Sequence, residues 1–179
     1  MLFRSVYGRP ILVNASSSGA GVGFAARHSD LLFITRPAGA DVYGLLKDHN
    51  SKIKDQVRKA GHEVRTIINP HIICADTERE AKARKQAFID HADPVALENF
   101  FKFITGGDTV SWKGAMRDDL AVGGNMQMVG TPEQVVEKML KLYDCGIDGI
   151  QVNFYDYLPD LEYFGERVLP LMKDAGLRN

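Results

Sequence analysis

Four short runs of consecutive apolar residues, separated by helical patterns, constrain the fold of this chain most strongly. They lie at residues 10–14, 31–35, 67–75 and 149–154. The runs are mostly continuous instead of alternating with polar residues, which is typical of strands covered on both faces. Such strands are usually parallel and joined by helices. The sequence therefore predicts an α/β fold built from four strand–helix units.

Start and stop signals mark the helices between these runs. Thr77 and Thr131 each stand three residues before a Glu or Gln, which is the pattern of a capping box. Helical spacing and terminal glycines predict helices at residues 19–28, 41–60, 77–92, 131–143 and 161–175, with a further helix opening at Asp93 and Pro94. Pro170 predicts a kink or a break in the last one.

The length of 179 residues predicts a single domain that covers the whole chain. A complete eight-stranded barrel takes about 250 residues, so four units supply only half of one. The sheet is then either open and flat or a curved half-barrel, and its exposed edges favour self-association. Residues 106–130 are the exception to the strand–helix pattern. We expect them to form an irregular insertion, in which Trp112 is either a lid residue or a simple hydrophobic anchor.

The composition argues against several classes of function. A net charge of −1 gives no electrostatic case for binding nucleic acid or an anionic membrane. No apolar run approaches the roughly 20 residues that span a bilayer, and no signal peptide is evident, so we expect a cytoplasmic protein. Cys74 and Cys145 lack a CxxC spacing and are expected to be buried thiols. No zinc-ligand spacing is present, so no metal site is predicted.

The small residues that follow the first strand form the strongest candidate site. Residues 15–20 carry three consecutive serines and lead into an apolar helix start. A strand, a small polar turn and a helix N-terminus together present N–H groups and hydroxyls to an anion. The turn therefore predicts a phosphate site, and a simple tight turn is the alternative.

Two segments resemble the bacterial-luciferase-like flavin-dependent monooxygenases. These are PILVNASSSGAGVGFAARHSDLLF and MVGTPEQVVEKMLKLYDCGIDGIQVNFYDY, and the similar branch holds pyrimidine oxygenase and dimethylsulfone monooxygenase. Members of the family are (β/α)8 TIM barrels of roughly twice this length, and this chain resembles their C-terminal half, strands five to eight. The resemblance therefore implies half of a TIM barrel.

The family resemblance also implies a cofactor and its binding residues. Members oxygenate a small substrate with reduced flavin mononucleotide (FMN) supplied by a separate flavin reductase. The position that contacts the flavin phosphate corresponds to Ser18, with Ser17 and the backbone of Gly19, Ala20 and Gly21 beside it. Asn14, which ends the first strand, is a possible pocket residue; a turn-capping role is the alternative.

Two residues of the turn and one large missing part depart from the family pattern. Ser16 stands where the family usually has glycine, and Gly19 stands where proline or an acidic residue is common. The family's ring contacts and most of its substrate contacts come from strands one to four, which this chain does not match. We therefore assign no catalytic residue.

Several further polar residues end strands or lie within them. His71 is expected to be a hydrogen-bonded core histidine, because no second ligand shares its spacing. Asn153 and Tyr155 could line a pocket mouth or serve packing. Asp156 and Asp160 are expected to lead into a helix instead of forming an acid–base pair.

Three functional hypotheses remain open at this point. The chain is a subunit of a flavin monooxygenase, completed by a second copy or by a partner chain that supplies the missing half-barrel. Alternatively, it is a non-catalytic half-barrel remnant with at most flavin-phosphate binding. The third hypothesis is an oligomeric structural or interaction protein. The enzyme hypothesis implies a small organosulfur or N-heterocyclic substrate.

Overall fold

The computed structural model describes residues 8–15, 18–35, 41–105 and 115–178. Strands are β1 (Val13–Asn14), β2 (Leu31–Phe33), β3 (Arg65–Ile68), β4 (His71–Cys74), β5 (Gln127–Gly130) and β6 (Gly149–Ile150). Helices are α1 (Gly19–His28), α2 (Val42–Lys59), α3 (Glu78–Asp90), α4 (Pro94–Thr105), α5 (Ala115–Ala121), α6 (Pro132–Asp144), α7 (Tyr157–Tyr163) and α8 (Leu169–Asp174). All strand pairs in the described residues are parallel, which confirms the α/β prediction.

The described residues divide into two compact units. The first comprises the described residues of Met1–Asn69 and Lys141–Gln151, and the second comprises those of Pro70–Leu140 and Val152–Asn179. The first unit contains a four-stranded sheet in the order β1-β2-β3-β6. The second contains a two-stranded sheet of β4 and β5. The prediction of a single domain over all 179 residues stays a prediction.

Apolar side chains of the first unit form a core between its sheet and helices. Leu32 of β2 and Ile68 of β3 are at most 1% exposed, and Leu46 of α2 is fully buried. Helix α1 packs against α2 and buries Ala25 and Ala26. Each Å² of apolar surface that is removed from water stabilises the fold by about 25 cal/mol. The burial of these side chains is therefore the main contribution to the stability of the unit.

Asp148 joins three elements of the first unit. One oxygen of its carboxylate accepts hydrogen bonds from Lys54 Nζ at 2.5 Å, from the Thr66 N–H at 2.7 Å and from the Thr66 hydroxyl at 3.2 Å. Partial burial raises the pKa of Asp148, but the bonds from Lys54 and Thr66 outweigh that effect and hold the pKa below its ordinary value. The carboxylate therefore stays ionised at neutral pH and holds α2 and β3 beside the start of β6.

The core of the second unit lies around β4 and β5. Their register pairs His71 with Gln127 and Ile73 with Val129, and helix α3 packs against both strands. Ile73 and Met128 are at most 1% exposed.

Two predicted segments differ from the structure. The single strand predicted at residues 67–75 is two strands, β3 and β4, and Asn69 and Pro70 lie between them. Proline has no N–H to donate to a neighbouring strand, so a ladder is interrupted where it stands. The irregular insertion predicted at residues 106–130 contains α5 and β5, because residues 127–130 pair in register with β4. Residues 106–114, including Trp112, lie outside the described residues.

The local helix signals are confirmed. Thr77 and Glu80 exchange both hydrogen bonds of a capping box, and Thr131 and Gln134 form the same arrangement. Gly61, Gly146 and Gly176 follow helix ends with φ angles of +74°, +76° and +71°. These are left-handed conformations that glycine adopts without steric cost.

Pro170 interrupts the last helical stretch as predicted. A π-helical segment, Phe164–Val168, separates α7 from α8, and the Leu169 N–H donates to the Phe164 carbonyl. The helical stretch begins at Tyr157, four residues before the predicted start at 161. No helix in the part of the chain that the structure describes has both the length and the apolar character needed to cross a membrane.

Candidate functional site

The turn between β1 and α1 places Ser18 at the start of the helix. Ser18 is the N-cap residue, with extended backbone angles, and its hydroxyl oxygen accepts a hydrogen bond from the Gly21 N–H at 3.1 Å. Its carbonyl accepts the Val22 N–H at 2.8 Å. The hydroxyl proton of Ser18 is not used by either bond and remains a donor.

The first turn of α1 offers two further donors. In an α-helix the N–H groups of the first residues have no carbonyl of the same helix to bond, so those of Gly19 and Ala20 are available. Both residues are exposed, and a Cβ added at Gly19 would meet no atom within 4 Å. No acidic residue lies in the first turn, so the positive end of the helix dipole is not neutralised there.

The donors are held by a buried anchor. Val22, Ala25 and Ala26 of α1 are at most 4% exposed, and the Gln56 side chain of α2 donates to the Gly19 carbonyl at 3.4 Å. The apolar face fixes the helix while its N-terminus stays open to solvent. This arrangement is suited to binding an anion such as a phosphate group.

The structure brings together four of the six predicted site residues. Ser18, Gly19, Ala20 and Gly21 form the helix start, as the sequence predicted. Ser17 lies outside the described residues. Asn14 ends β1, and its Oδ1 is sealed from solvent without a hydrogen-bond partner among the described residues. Whether Asn14 contributes to a pocket stays a prediction.

A cavity of about 750 Å³ in the first unit lies at the other end of the same sheet. It is lined by residues that precede or begin strands, including Leu31, Arg65 and Asp148. Ligands of parallel α/β sheets bind outside the carboxyl ends of the strands, where the Ser18 turn follows β1. We therefore do not assign the ligand site to this cavity.

The second unit contains an ion pair that the sequence did not reveal. Arg84 of α3 lies 2.6 Å from the carboxylate of Asp160, which is 9% exposed, and also donates to the Cys74 carbonyl at 2.9 Å. Asp156 is the N-cap of α7 and Asp160 lies in its first turn, as predicted for a helix lead-in. Arg84 and Asp160 are 76 positions apart, and no sequence signal links them.

The groove beside this ion pair has a volume of about 590 Å³. At its edge the Tyr163 hydroxyl donates to Asp76 at 2.8 Å. Burial, followed by this hydrogen bond, raises the pKa of Tyr163. Burial also raises the pKa of the Cys74 thiol to about 11, so the thiol is protonated and unreactive at neutral pH. These groups hold the groove together and offer no nucleophile.

His71 differs from its prediction. It is half-buried, and its Nδ1 has no hydrogen-bond partner in the described part of the chain. The expectation of a hydrogen-bonded core histidine is therefore wrong for this nitrogen. Gly123, which has no side chain to offer a partner, lies against this edge of the ring, since a Cβ built there would be 3.4 Å from Nδ1.

The comparisons with known proteins agree with the family resemblance. Residues 2–149 match the protein-family model described as luciferase-like monooxygenase. An FMNH(2)-dependent dimethylsulfone monooxygenase of Pseudomonas fluorescens (strain Pf0-1) is 33% identical over 176 residues, which is 93% of this chain and 47% of that protein. A pyrimidine monooxygenase, RutA, of Acinetobacter baylyi is 30% identical over 168 residues, covering 90% of this chain and 45% of that protein.

Solved structures show the same fold. The riboflavin lyase RcaE superimposes with a TM-score of 0.80 at 21% identity, and DmoA from Hyphomicrobium sulfonivorans does so with a TM-score of 0.79 at 19% identity. Each match covers at least 93% of this chain and at most 44% of the other. The chain therefore spans about half the length of the relatives it matches.

Proposed function

Because this chain belongs to the luciferase-like monooxygenase family, we propose that it binds the phosphate of flavin mononucleotide at the N-terminus of α1. We further propose that it does so as part of a reduced-flavin-dependent monooxygenase. The observation that carries the proposal is the exposed helix start at Ser18, where a hydroxyl and two helix N–H groups are available and the first turn contains no acidic residue.

In this proposal each residue of the turn has a defined part. The N–H groups of Gly19 and Ala20 donate to phosphate oxygens, and the Ser18 hydroxyl donates a third hydrogen bond. The Gly21 N–H donates to the Ser18 hydroxyl oxygen and so fixes the hydroxyl in place. The small side chains let the phosphate approach the backbone closely. Ser17 and Asn14 are proposed as neighbouring contacts.

The reduced flavin would supply the electrons for oxygen activation, and a separate flavin reductase would supply the reduced flavin. Two relatives are named for dimethylsulfone and pyrimidine oxygenation, which supports a small organosulfur or N-heterocyclic substrate. We propose no catalytic residue, because the matched relatives are about twice as long and their remaining half has no counterpart in this chain.

We also propose that the first sheet is half of a barrel that a second chain completes. Strand β1 is the edge of that sheet. Its residue Val13 is 50% exposed, and Ile11 and Leu12 just before it are 70% and 44% exposed. Apolar residues at a strand edge favour pairing with another strand. A second copy of this chain or a partner with the missing half would cover them. A half-barrel remnant that keeps only phosphate binding is the second candidate.

Substitution of Ser18 tests the phosphate site. We expect Ser18→Ala to weaken FMN binding by about tenfold or more, because it removes a hydrogen bond to a charged group. Ser18→Ala also removes the helix cap and lowers stability by about 1 kcal/mol, whereas glycine at an N-cap costs only a few tenths. Ser18→Gly is therefore the matched variant that loses the hydroxyl without losing the cap's stability.

The measurement is titration of each variant with oxidised and reduced FMN, followed by flavin fluorescence or by heat. The proposal expects Ser18→Gly and Ser18→Ala to lose affinity to a similar extent. Undiminished affinity in Ser18→Gly would show that the hydroxyl does not contact the phosphate. Absence of flavin binding by the unaltered chain would contradict the proposal directly.

A further inference from the structure

Two buried polar atoms without partners belong to register-paired residues of adjacent strands in the second unit. His71 begins β4, Gln127 begins β5, and the register places the two residues directly opposite, so their side chains lie on the same face of the sheet. Within the described residues, His71 Nδ1 and Gln127 Oε1 are sealed from solvent and have no hydrogen-bond partner.

Such a pair requires an explanation, because buried polar groups in native proteins are nearly always hydrogen-bonded. An unpaired buried donor or acceptor destabilises the fold. Two such groups on register-paired residues point to a partner that binds both. Neighbouring strands lie about 4.8 Å apart, so one small molecule can reach both residues.

The surroundings fix the imidazole of His71. Its ring stacks on Tyr155, with ring centroids 4.9 Å apart and planes inclined by 19°, and Tyr155 stacks in turn on Phe88 at 4.2 Å. The Tyr155 hydroxyl donates to the Val122 carbonyl at 2.5 Å and is therefore not available to His71.

The turn that joins α5 to β5 covers another side of the His71 imidazole. Gly123 has a φ of +85°, and a Cβ built there would lie 2.9 Å from His71 Cε1 and 3.4 Å from Nδ1. Gly124 follows with a φ of +68°. Because Gly123 has no side chain, its backbone lies directly against the imidazole edge that contains Nδ1.

The chemistry of the two groups is complementary. Burial lowers the pKa of His71, so the ring is neutral at pH 7 and carries one N–H. The phenol of Tyr155, its stacked neighbour, stays protonated because burial raises its pKa to about 12. A neutral imidazole N–H donates and a carboxamide oxygen accepts. The His71 N–H and the Gln127 oxygen are therefore complementary to a ligand that has a carbonyl next to an N–H.

We infer that His71 and Gln127 form a binding site for a small uncharged cyclic amide. The ligand N–H donates to Gln127 Oε1, its carbonyl accepts from His71 Nδ1–H, and the turn at Gly123 and Gly124 moves to admit it. The inference rests on the proposed function in one respect: if the ligand is the substrate, that substrate is an N-heterocycle. A sulfone offers two acceptors and no donor, so it would leave Gln127 Oε1 unpaired.

The test is a titration of the flavin-free chain with 2-piperidone, followed by the NMR resonances of the His71 imidazole. N-methyl-2-piperidone is the matched control, because it keeps the carbonyl and lacks the N–H. We expect a saturable shift with 2-piperidone and affinity weaker by about tenfold with the N-methyl compound, since one buried acceptor stays unpaired. Equal titrations, or no shift with 2-piperidone, would overturn the inference.

A variant separates a binding role from a structural one. Gln127→Met removes the unpaired oxygen with little change in shape, so we expect a higher midpoint of thermal unfolding together with loss of the 2-piperidone titration. Gln134→Met is the control, because Gln134 Oε1 accepts the Thr131 N–H at 3.0 Å and its loss should lower the midpoint. A lower midpoint or an unchanged titration in Gln127→Met would overturn the inference. Flavin is absent throughout, so these outcomes leave the phosphate proposal standing.

Discussion

Replacing Arg84 with methionine is expected to lower the free energy of unfolding by about 2–4 kcal/mol, because it leaves a buried carboxylate without its cation. The Asp160 side chain is only 10% exposed and the Arg84 side chain is 39% exposed, so the pair is shielded from water mainly on the carboxylate side. Arg84 also donates to the Cys74 carbonyl at the end of β4, and that bond is lost in the same variant. Chemical denaturation followed by circular dichroism measures the change.

Lys82→Met is the matched control for this prediction. Lys82 lies on the same helix, and its ion pair with Glu78 has side chains 68% and 50% exposed. Exposed pairs of this kind are screened by water and contribute little, so this variant should be nearly as stable as the unaltered chain. The double variant Arg84→Met, Asp160→Leu should recover part of the loss, because it removes the unpaired charge. A loss in Arg84→Met no larger than in Lys82→Met would show that the ion pair does not stabilise the second unit.

Replacing Gly123 with alanine should destabilise the chain by a similar amount, about 2–5 kcal/mol. The left-handed backbone at φ +85° costs an alanine about 1–2 kcal/mol. The new methyl group would also lie 2.9 Å from His71 Cε1, and overpacking of this kind costs about 1–3 kcal/mol. The stacked Tyr155 ring limits how far the imidazole can move away.

Two further variants separate these contributions. Gly176 has a φ of +71° and open space around it, so Gly176→Ala should show the backbone cost alone. In a His71→Ala background, Gly123→Ala should also cost only the backbone contribution, because the ring it meets is absent. If Gly123→Ala costs the same with and without the His71 ring, the close contact between them does not exist in the folded chain.

Local signals in the sequence predicted the local structure well. The capping boxes at Thr77 and Thr131 start their helices where predicted, because the bonds that form them lie within four residues. The helix ends at Gly61, Gly146 and Gly176 were predicted correctly for the same reason, because a positive φ is a property of a single residue. Strand β5 was not predicted, because it consists of only four residues of mixed polarity, Gln127–Gly130. Its strand conformation comes from pairing with β4.

Contacts between distant residues could not be predicted. The ion pair of Arg84 with Asp160 and the contact of Gly123 with His71 join residues 76 and 52 positions apart, and neither shows a pattern in the sequence. The division of residues 67–75 into β3 and β4 could have been predicted, because Pro70 stands inside the run and cannot donate to a ladder.

The helix start at the candidate site was predicted correctly because its residues are continuous in the sequence, whereas its role as a phosphate site stays a prediction. Residues 18–21 form the exposed helix start that the small polar turn indicated. The family was also identified correctly from the two quoted segments. The polar pair of His71 and Gln127 was missed, because it depends on the register between two strands that are more than 50 residues apart.

The central claim, that the N-terminus of α1 binds the phosphate of a flavin, is tested most directly by comparing FMN with riboflavin, which differ only in that phosphate. Parallel titrations of the unaltered chain at one salt concentration give the two dissociation constants. Several hydrogen bonds to a charged group should make FMN bind at least about tenfold more tightly than riboflavin. Equal affinities for the two flavins, or no binding of either, would contradict the account.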